Sequence, residues 1–372
     1  MARALEREAA PPRNGAARVD QRLARRGGAV ELLRLPSALF AGLSRLRAAG
    51  YDRGWLASEE VDAPVVSVGN LSAGGTGKTP FVAYLARELL RRGWRPGVLS
   101  RGYGASPVEE RKNDETRWFA ERLAGVPLHQ DPDRPRGARV LLEQGVDVVL
   151  LDDGFQHRRL ARELDLVLVD ATRPWGLPRP PDGSAPVRAC LPRGLLREPP
   201  EALARAHALV LTRIDQVAAR ELEELAAELD RHAPGRPILR GRHLAARLVG
   251  PDGKPRALAE LDGRTVDLVS ALGNPESFQR TVESLGARVA THRVFRDHHR
   301  YAPGDLDGLG EGERWLVTTE KDAVKLGGSR CFVLGTEFEL VEGHSVLEAL
   351  LDGLRPGSAR RARAAIHEGL HG

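Results

Sequence analysis

Lysine is nearly missing from this chain: five of its 56 basic residues are lysine (Lys78, Lys112, Lys254, Lys321 and Lys325) and the other 51 are arginine. A skew of that size looks like a genome-wide substitution bias rather than a binding device. A lysine retained against it hints at chemistry that a compact ammonium supplies and a planar guanidinium does not. Cysteine is scarcer still. Cys190 and Cys331 lie far apart and match no metal-ligand or redox spacing, which argues against a disulfide scaffold and for reduced thiols in a reducing compartment. No apolar run approaches the roughly 20 residues that cross a bilayer, and the start of the chain lacks the basic-then-apolar layout of a secretory signal. The expectation is a protein that neither spans a membrane nor is exported, yet is free to lie on one. Internal repeats are absent too, and no basic-aromatic module of the nucleic-acid-binding kind is found. What is there is 372 residues, 41% hydrophobic and 29% charged, enough for two compact domains. The net charge of +5 argues weakly for an anionic partner.

Residues 1–29 alternate charge and small residues without an apolar period, and are expected to be a flexible basic lead. Over 30–49, Leu32, Leu35, Leu39, Leu43 and Leu46 recur at helical spacing with Arg34, Arg45 and Arg47 beside them, predicting a basic amphipathic helix with Pro36 in its first turns. Such a stripe suits a core helix or one lying in a membrane interface. Short continuous apolar runs then alternate with helical stretches: strands at 65–68, 97–100, 146–151, 164–169 and 208–212, and helices at 80–92 and 139–144. That rhythm implies a mostly parallel sheet covered on both faces. Near 232–241 the sequence His-Ala-Pro-Gly-Arg-Pro breaks the rhythm and suggests a hinge. Beyond it a smaller α/β unit is expected, with strands at 265–269, 288–291, 315–318 and 331–334 and helices at 275–285 and 320–326. The resulting organisation is a helix region at 30–56, a core domain at 57–235, a closing domain at 236–355 and a basic flexible tail at 356–372.

The strongest chemical signal is Gly69-Asn-Leu-Ser-Ala-Gly-Gly-Thr-Gly-Lys-Thr-Pro80, between a strand and a helix. In that context backbone N–H groups wrap phosphates, glycines permit the necessary dihedrals and the helix N-terminus adds its dipole. Gly74, Gly75, Thr76, Gly77, Lys78 and Thr79 are the nucleotide-binding candidates, with Lys78 bridging the β- and γ-phosphates and the Thr79 hydroxyl on Mg²⁺. The strict P-loop pattern would need glycine at Ser72. The loop is closer to the variant of the partition and septum-site ATPases, whose extra signature lysine would fall at Ala73. A glycine-rich surface turn is the bland alternative.

Val148-Val-Leu-Leu-Asp152-Asp153 is an apolar strand ending in acids, the form in which a buried parallel strand delivers a carboxylate to Mg²⁺. Many buried strands also end in an Asp that caps a helix. Adjacent acids point different ways, so one serves the metal while the other orients a water, a substrate hydroxyl or a loop. Thr212-Arg-Ile-Asp215 has the spacing of a GTPase guanine reader with Arg213 in place of lysine, and is equally a common cap.

Taken together, the nucleotide loop, Ser100-Arg-Gly-Tyr-Gly104, Asp152-Asp-Gly-Phe-Gln-His-Arg-Arg-Leu160 and Leu191-Pro-Arg-Gly-Leu-Leu-Arg-Glu-Pro199 resemble the bacterial tetraacyldisaccharide 4′-kinases, the lipid A 4′-kinases. Gly273-Asn-Pro-Glu-Ser-Phe278, Phe295-Arg-Asp-His-His-Arg-Tyr301 and Thr319-Glu-Lys-Asp-Ala-Val-Lys325 continue the match in order, from about Leu33 to about Leu334. The resemblance implies a P-loop NTPase-like α/β fold with a mostly parallel sheet, a smaller C-terminal α/β domain and an amphipathic membrane-associated N-terminal helix. It implies transfer of the ATP γ-phosphate, with Mg²⁺, to the 4′-hydroxyl of an acylated disaccharide 1-phosphate lipid at the cytoplasmic leaflet of the inner membrane. No nucleic-acid partner is implied.

By the same resemblance, Asp114 and His298 act together in deprotonating the attacking hydroxyl. The family usually reads Gly-Asp-Glu-Pro where this chain has Asn113-Asp-Glu-Thr116, which also resembles a capping sequence before a helix at 118–124. Glu198 joins Thr79 and Asp152 at the metal, and Arg197 contacts phosphates. Asn70, Ser100, Arg101, Asp153, Gln156 and His157 are the further substrate or phosphate contacts. Glu320, Lys321, Asp322 and Lys325 form either part of the site or a charged helix start. A proline-rich stretch at 178–187 looks inserted. The competing reading is a membrane-associated nucleotide-switch ATPase of the partition type, which the variant loop allows.

Overall fold

The computed structural model describes residues 15–102, 114–180, 182–297, 299–327 and 330–357. His298 and most of the C-terminal tail lie outside the described residues, as does the side chain of Asp114.

Twelve strands form one mixed sheet: β1 (Val65–Asn70), β2 (Pro96–Ser100), β3 (Leu128–Gln130), β4 (Val148–Asp152), β5 (Leu164–Asp170), β6 (Ala208–Thr212), β7 (Ile238–Val249), β8 (Pro255–Arg256), β9 (Thr265–Ser270), β10 (Arg288–Val294), β11 (Trp315–Thr319) and β12 (Phe332–Glu342). Their order is β10-β9-β11-β12-β7-β6-β5-β1-β4-β2-β3, with β8 alongside β7. The helices are α1 (Gly15–Ala24), α2 (Arg34–Asp52), α3 (Lys78–Arg91), α4 (Asp114–Arg122), α5 (Arg134–Glu143), α6 (Ala219–His232), α7 (Pro275–Glu283), α8 (Glu320–Leu326) and α9 (His344–Asp352).

β1 lies between β4 and β5, and every pairing from β3 to β7 is parallel. The chain leaves β1 toward β2 on one side and leaves β4 toward β5 on the other, and this reversal opens a crevice at the carboxyl ends of β1 and β4, the usual place for a ligand in an open α/β sheet. β1, β4, β5 and β6 are buried along their whole length, which is why they read as continuous apolar runs. α3 covers this region with Phe81, Leu85 and Leu89 inward, while Leu90 faces solvent.

The second half repeats the arrangement on a smaller scale, with β9 between β10 and β11. An antiparallel ribbon of β7 and β12 joins the halves. The expected hinge at 232–241 therefore runs straight into the twelve-residue strand β7. This strand escapes a search for apolar runs because alternate positions are arginines: Arg240 pairs with Glu223 and Arg242 with Glu339. The core is shared across the ribbon, since Phe81 of α3 meets Phe338 of β12 edge-on at 4.9 Å.

Two expectations change at the N-terminus. Residues 1–29 were expected to carry no structure, yet α1 forms within them and is tied down. The buried Arg193 guanidinium donates to the carbonyls of Leu23 (2.6 Å) and Arg25 (2.9 Å) and to Glu31 (2.8 Å). Ala24 packs with Leu177, just before the proline-rich stretch, and with Val187 at its end. The anchor is an arginine nearly 170 residues away, so nothing local announces it. The amphipathic helix is α2, preceded by a 3-10 turn over Ala29–Leu33.

Candidate active site

β1 ends at Asn70, and the backbone then loops through glycines to the start of α3 at Lys78. Gly77, immediately before the helix, has φ 85° and lies under the His243 ring; a Cβ there would fall 2.2 Å from that ring. No side chain caps α3, leaving its first N–H groups to a ligand. Asn70 organises the loop from beneath. Its amide donates to the Ser72 carbonyl (2.8 Å), its side-chain oxygen accepts from Lys78 Nζ (3.0 Å), and its carbonyl accepts from Gln156 (3.1 Å) and Arg197 (2.9 Å). From the other side, Thr212 Oγ1 donates to the Thr76 carbonyl (3.0 Å) and Arg213 to the Gly75 carbonyl (3.0 Å). The Thr76 hydroxyl is buried with no hydrogen-bond partner among the described residues. A preformed loop with an unsatisfied inward hydroxyl and an uncapped helix start fits a polyphosphate.

The acids diverge as adjacent residues must. Asp152 closes β4 opposite Val68, while Asp153 takes the left-handed conformation (φ 55°). Arg197 grips Asp153 with two bonds of 2.8 Å, and Lys78 stands 3.4 Å away. Burial alone would raise the Asp153 pKa, but the Lys78 and Arg197 cations overcome it and hold the carboxyl far below the usual carboxylate range. Among the described residues, no group of three or more His, Cys, Asp or Glu side chains has a metal-holding arrangement. Mg²⁺ keeps waters and phosphate oxygens and needs only one or two protein ligands. Thr79 and Asp152 both line the cleft and fit that sparse demand. Glu198 is buried and held by Arg205 at 2.6 Å, and it is not among the cleft-lining residues.

The cleft is about 520 Å³. One wall carries the nucleotide loop, Ser100, Arg101, Asp152, Asp153 and Arg197; the other carries Gly273, Asn274, Asp297, Glu320 and Lys321. Asn70, Gln156 and His157 stand outside the lining, the first two bracing the loop from behind. Lys321 holds Asp297 at 3.0 Å. Asp322 turns inward instead, accepting from the Ala271 amide (3.0 Å) and the Thr319 hydroxyl (2.8 Å). A Cβ on Gly273 would fall 2.3 Å from the Gly75 nitrogen, so the second half meets the nucleotide loop directly.

The contact is pinned by Asp170, at the end of β5, which accepts from Asn274 (2.7 Å), Thr172 (2.7 Å) and Arg213. Burial works against its ionisation, but these donors, Arg213 foremost, hold its pKa below normal. Asp170, Arg213 and His243 were not singled out as site residues from sequence. Only the Thr-Arg-x-Asp spacing hinted at one of them, and Arg213 serves the loop backbone.

Three histidines sit where protonation is opposed. Burial, helped by Arg213, lowers His243 to about 3. Burial and the Arg134 cation lower His157 to about 4. Burial lowers His292 to about 4, its ring between Ser270 (2.9 Å) and Gln279 (3.1 Å). In the unfolded chain each titrates near ~6.5, so on acidification the unfolded state takes up protons that the native state refuses. Stability is thus expected to fall as pH drops from about 6.5 toward about 4, by roughly 1 kcal/mol per group over the first unit and less for the partly exposed His157. Thermal unfolding at a series of pH values checks this; a flat Tm over that unit would remove it.

A glycine-rich loop between β1 and α3, an acid-tipped β4 and a facing lobe across a cleft define a P-loop nucleotide-binding protein of the mostly parallel α/β class. The sequence profile of the Tetraacyldisaccharide-1-P 4′-kinase family matches residues 29–355, and the chain belongs to that family. Similar curated proteins include the tetraacyldisaccharide 4′-kinases of Anaeromyxobacter dehalogenans strain 2CP-C, 43% identical over 86% of this chain and 89% of that one, and of Geobacter sulfurreducens, 36% identical over 86% and 92%. Among solved structures, LpxK from Aquifex aeolicus in complex with ATP superposes with a TM-score of 0.63 at 31% identity, covering 85% of this chain and 96% of that one.

Proposed function

We propose that this member of the 4′-kinase family transfers the γ-phosphate of ATP to the 4′-hydroxyl of an acylated disaccharide 1-phosphate, using the cleft between its two lobes. The observation that carries the reading is the pairing of a phosphate-binding loop on one wall with the Lys321–Asp297 pair on the other. Phosphoryl transfer needs little covalent help from a protein, so positioning and charge dominate. Lys78, Arg197 and Arg101 supply positive charge around the phosphates. Thr79 and Asp152 would hold Mg²⁺, which neutralises phosphate charge when bound. His298, next to Asp297, takes the proton of the attacking hydroxyl, with Asp114 at the start of α4 orienting it. Residues 57–235 and 236–355 act as core and closing lobes about the β7–β12 ribbon.

The direct test incubates the purified chain in detergent with radiolabelled ATP and tetraacyldisaccharide 1-phosphate. Label at the 4′ position is expected; ATP binding without any transfer would sink the reading.

The acceptor's acyl chains require a lipid surface, and α2 has the form of a surface anchor. Leu32, Leu35, Leu39, Leu43 and Leu46 are 58–81% exposed along one stripe, and Trp55 follows just beyond the helix. The opposite side docks on the core: the Ser37 hydroxyl donates to the Cys190 carbonyl (2.6 Å) and Arg47 to the Gln156 carbonyl (3.0 Å). No helix among the described residues is long and apolar enough to cross a membrane. On this reading the chain sits on the cytoplasmic leaflet of the inner membrane with α2 in the interface, and the Arg47–Gln156 contact keeps the loop bearing Asp152 and Asp153 close to that surface.

A further inference from the structure

A buried charge cluster joins the two lobes beside the cleft, with residues that neither bind the nucleotide loop nor belong to the proposed acid–base pair. Glu320, the first residue of α8, carries it. Its carboxylate accepts from Trp118 Nε1 at 2.8 Å, from Arg122 Nη2 at 2.6 and 2.7 Å, and from Arg247 Nε. Arg122 also donates from Nη1 to Glu337 of β12 at 2.8 Å. Trp118 and Arg122 sit one turn apart on α4 of the core lobe, whereas Glu320 and Glu337 belong to the closing lobe. The Arg122 and Glu320 side chains are only 6% and 8% exposed. Gly335 makes room for them: a Cβ there would lie 2.2 Å from Glu320 Oε1 and 2.7 Å from Arg122 Nη2.

A buried ion pair adds little net stability, because desolvation cancels much of the attraction, but it is strict about geometry. The elements it fixes are those that bear on the reaction. α4 begins at Asp114, two turns before Arg122. Lys321 follows Glu320 and grips Asp297, the neighbour of His298. Glu320 and Trp118 both line the cleft as well. A carboxylate facing a triphosphate site would repel the ligand unless its charge were already taken up, and three donors take it up here.

We propose that Glu320, through Trp118 and Arg122, is a positioning residue: it latches α8 to α4 and sets the distance between the Lys321–Asp297 wall and the nucleotide loop. The proposal rests on the kinase reading above. It sets how fast bound ATP reacts rather than how tightly ATP binds, since the latch touches neither Lys78 nor the glycines of the loop.

The test compares Glu320→Gln, Arg122→Lys, the double variant and Trp118→Phe, which keeps the ring and removes only the N–H. Glu320→Gln and Arg122→Lys are each expected to lower kcat about 30-fold, in line with a wall displaced by a fraction of an ångström. KM for ATP and the Kd of a non-hydrolysable analogue should stay within about threefold, because removing the carboxylate charge does not weaken an anion's binding. The double variant should be no worse than the worse single one, since both break the same link. Trp118→Phe should fall between these and the unaltered enzyme.

A kcat within threefold of the unaltered enzyme in folded Glu320→Gln and Arg122→Lys proteins would overturn the proposal. So would kcat losses that multiply in the double variant, or KM rising in step with kcat falling. Hydrogen exchange gives a readout that needs no turnover: Glu320→Gln should speed exchange in the α4 and α8 peptides together, and release of α8 alone would overturn the latch. If the unaltered chain transfers no phosphate, the kinase reading fails, while the exchange result still decides the latch.

Discussion

Lys78→Ala is expected to lower the rate of 4′-phosphate transfer by about 10³-fold or more, and Lys78→Arg by nearly as much. Removing one charged donor aimed at developing phosphate charge in a dry cleft commonly costs 10²–10³ in kcat, and Lys78 both neutralises charge and fixes the reacting group. The arginine variant carries the sharper argument. Lys78 Nζ stands 3.0 Å from Asn70 Oδ1 and 3.4 Å from Asp153, beside an Arg197 guanidinium already bonded to both the Asn70 carbonyl and Asp153. A second planar fork does not fit where a compact ammonium does. In a chain with 51 arginines and five lysines, this is the position where the substitution bias meets chemistry it cannot satisfy. Asp153 keeps Arg197 in both variants, so both should fold. Single-turnover transfer from radiolabelled ATP, with thermal unfolding as the fold control, measures the effect. More than a tenth of the unaltered rate in Lys78→Arg would refute it.

The elements that place the nucleotide loop were legible because each leaves a local mark. β1, β4 and β6 are short apolar runs, glycines crowd the turn after β1, and two acids end β4. Ala208–Thr212 and Glu320–Leu326 have the bounds that sequence alone predicts. What was not legible depends on residues distant in the chain. β7 hides as a strand because Arg240 and Arg242 face glutamates on other elements. α1 is held by Arg193, whose position gives no sign of its target. Asp170 looks like any acid at a strand end until Arg213 and Asn274 converge on it from different lobes. The Trp118–Glu320 contact spans 202 residues, so no window on the sequence contains both partners.

Replacing Leu35, Leu39 and Leu43 together by aspartate is expected to weaken vesicle binding by about 10³-fold while leaving ATP binding unchanged. The three side chains are 81%, 66% and 58% exposed and successive at four-residue spacing, so they form one solvent-facing stripe. Each leucine transferred from water to an acyl boundary contributes roughly 1.5 kcal/mol, which makes about 4.5 kcal/mol for three, or about three decades in partition. Aspartate adds repulsion from anionic lipid, so the loss exceeds that of a triple alanine variant. The inward contacts of α2, through Ser37 and Arg47, are untouched, so the helix should remain docked. Salt separates the two forces at work. Because the apolar term is unscreened, binding of the unaltered chain should fall only a few-fold from about 0.1 to about 1 M salt, whereas binding through arginines alone would largely vanish over that range. Co-sedimentation with phosphatidylglycerol-containing vesicles, with an ATP analogue titrated in parallel, measures both quantities. Equal sedimentation of the aspartate variant and the unaltered chain would show that α2 is not the anchor, and an unaltered chain that stays in the supernatant would refute the membrane seat itself.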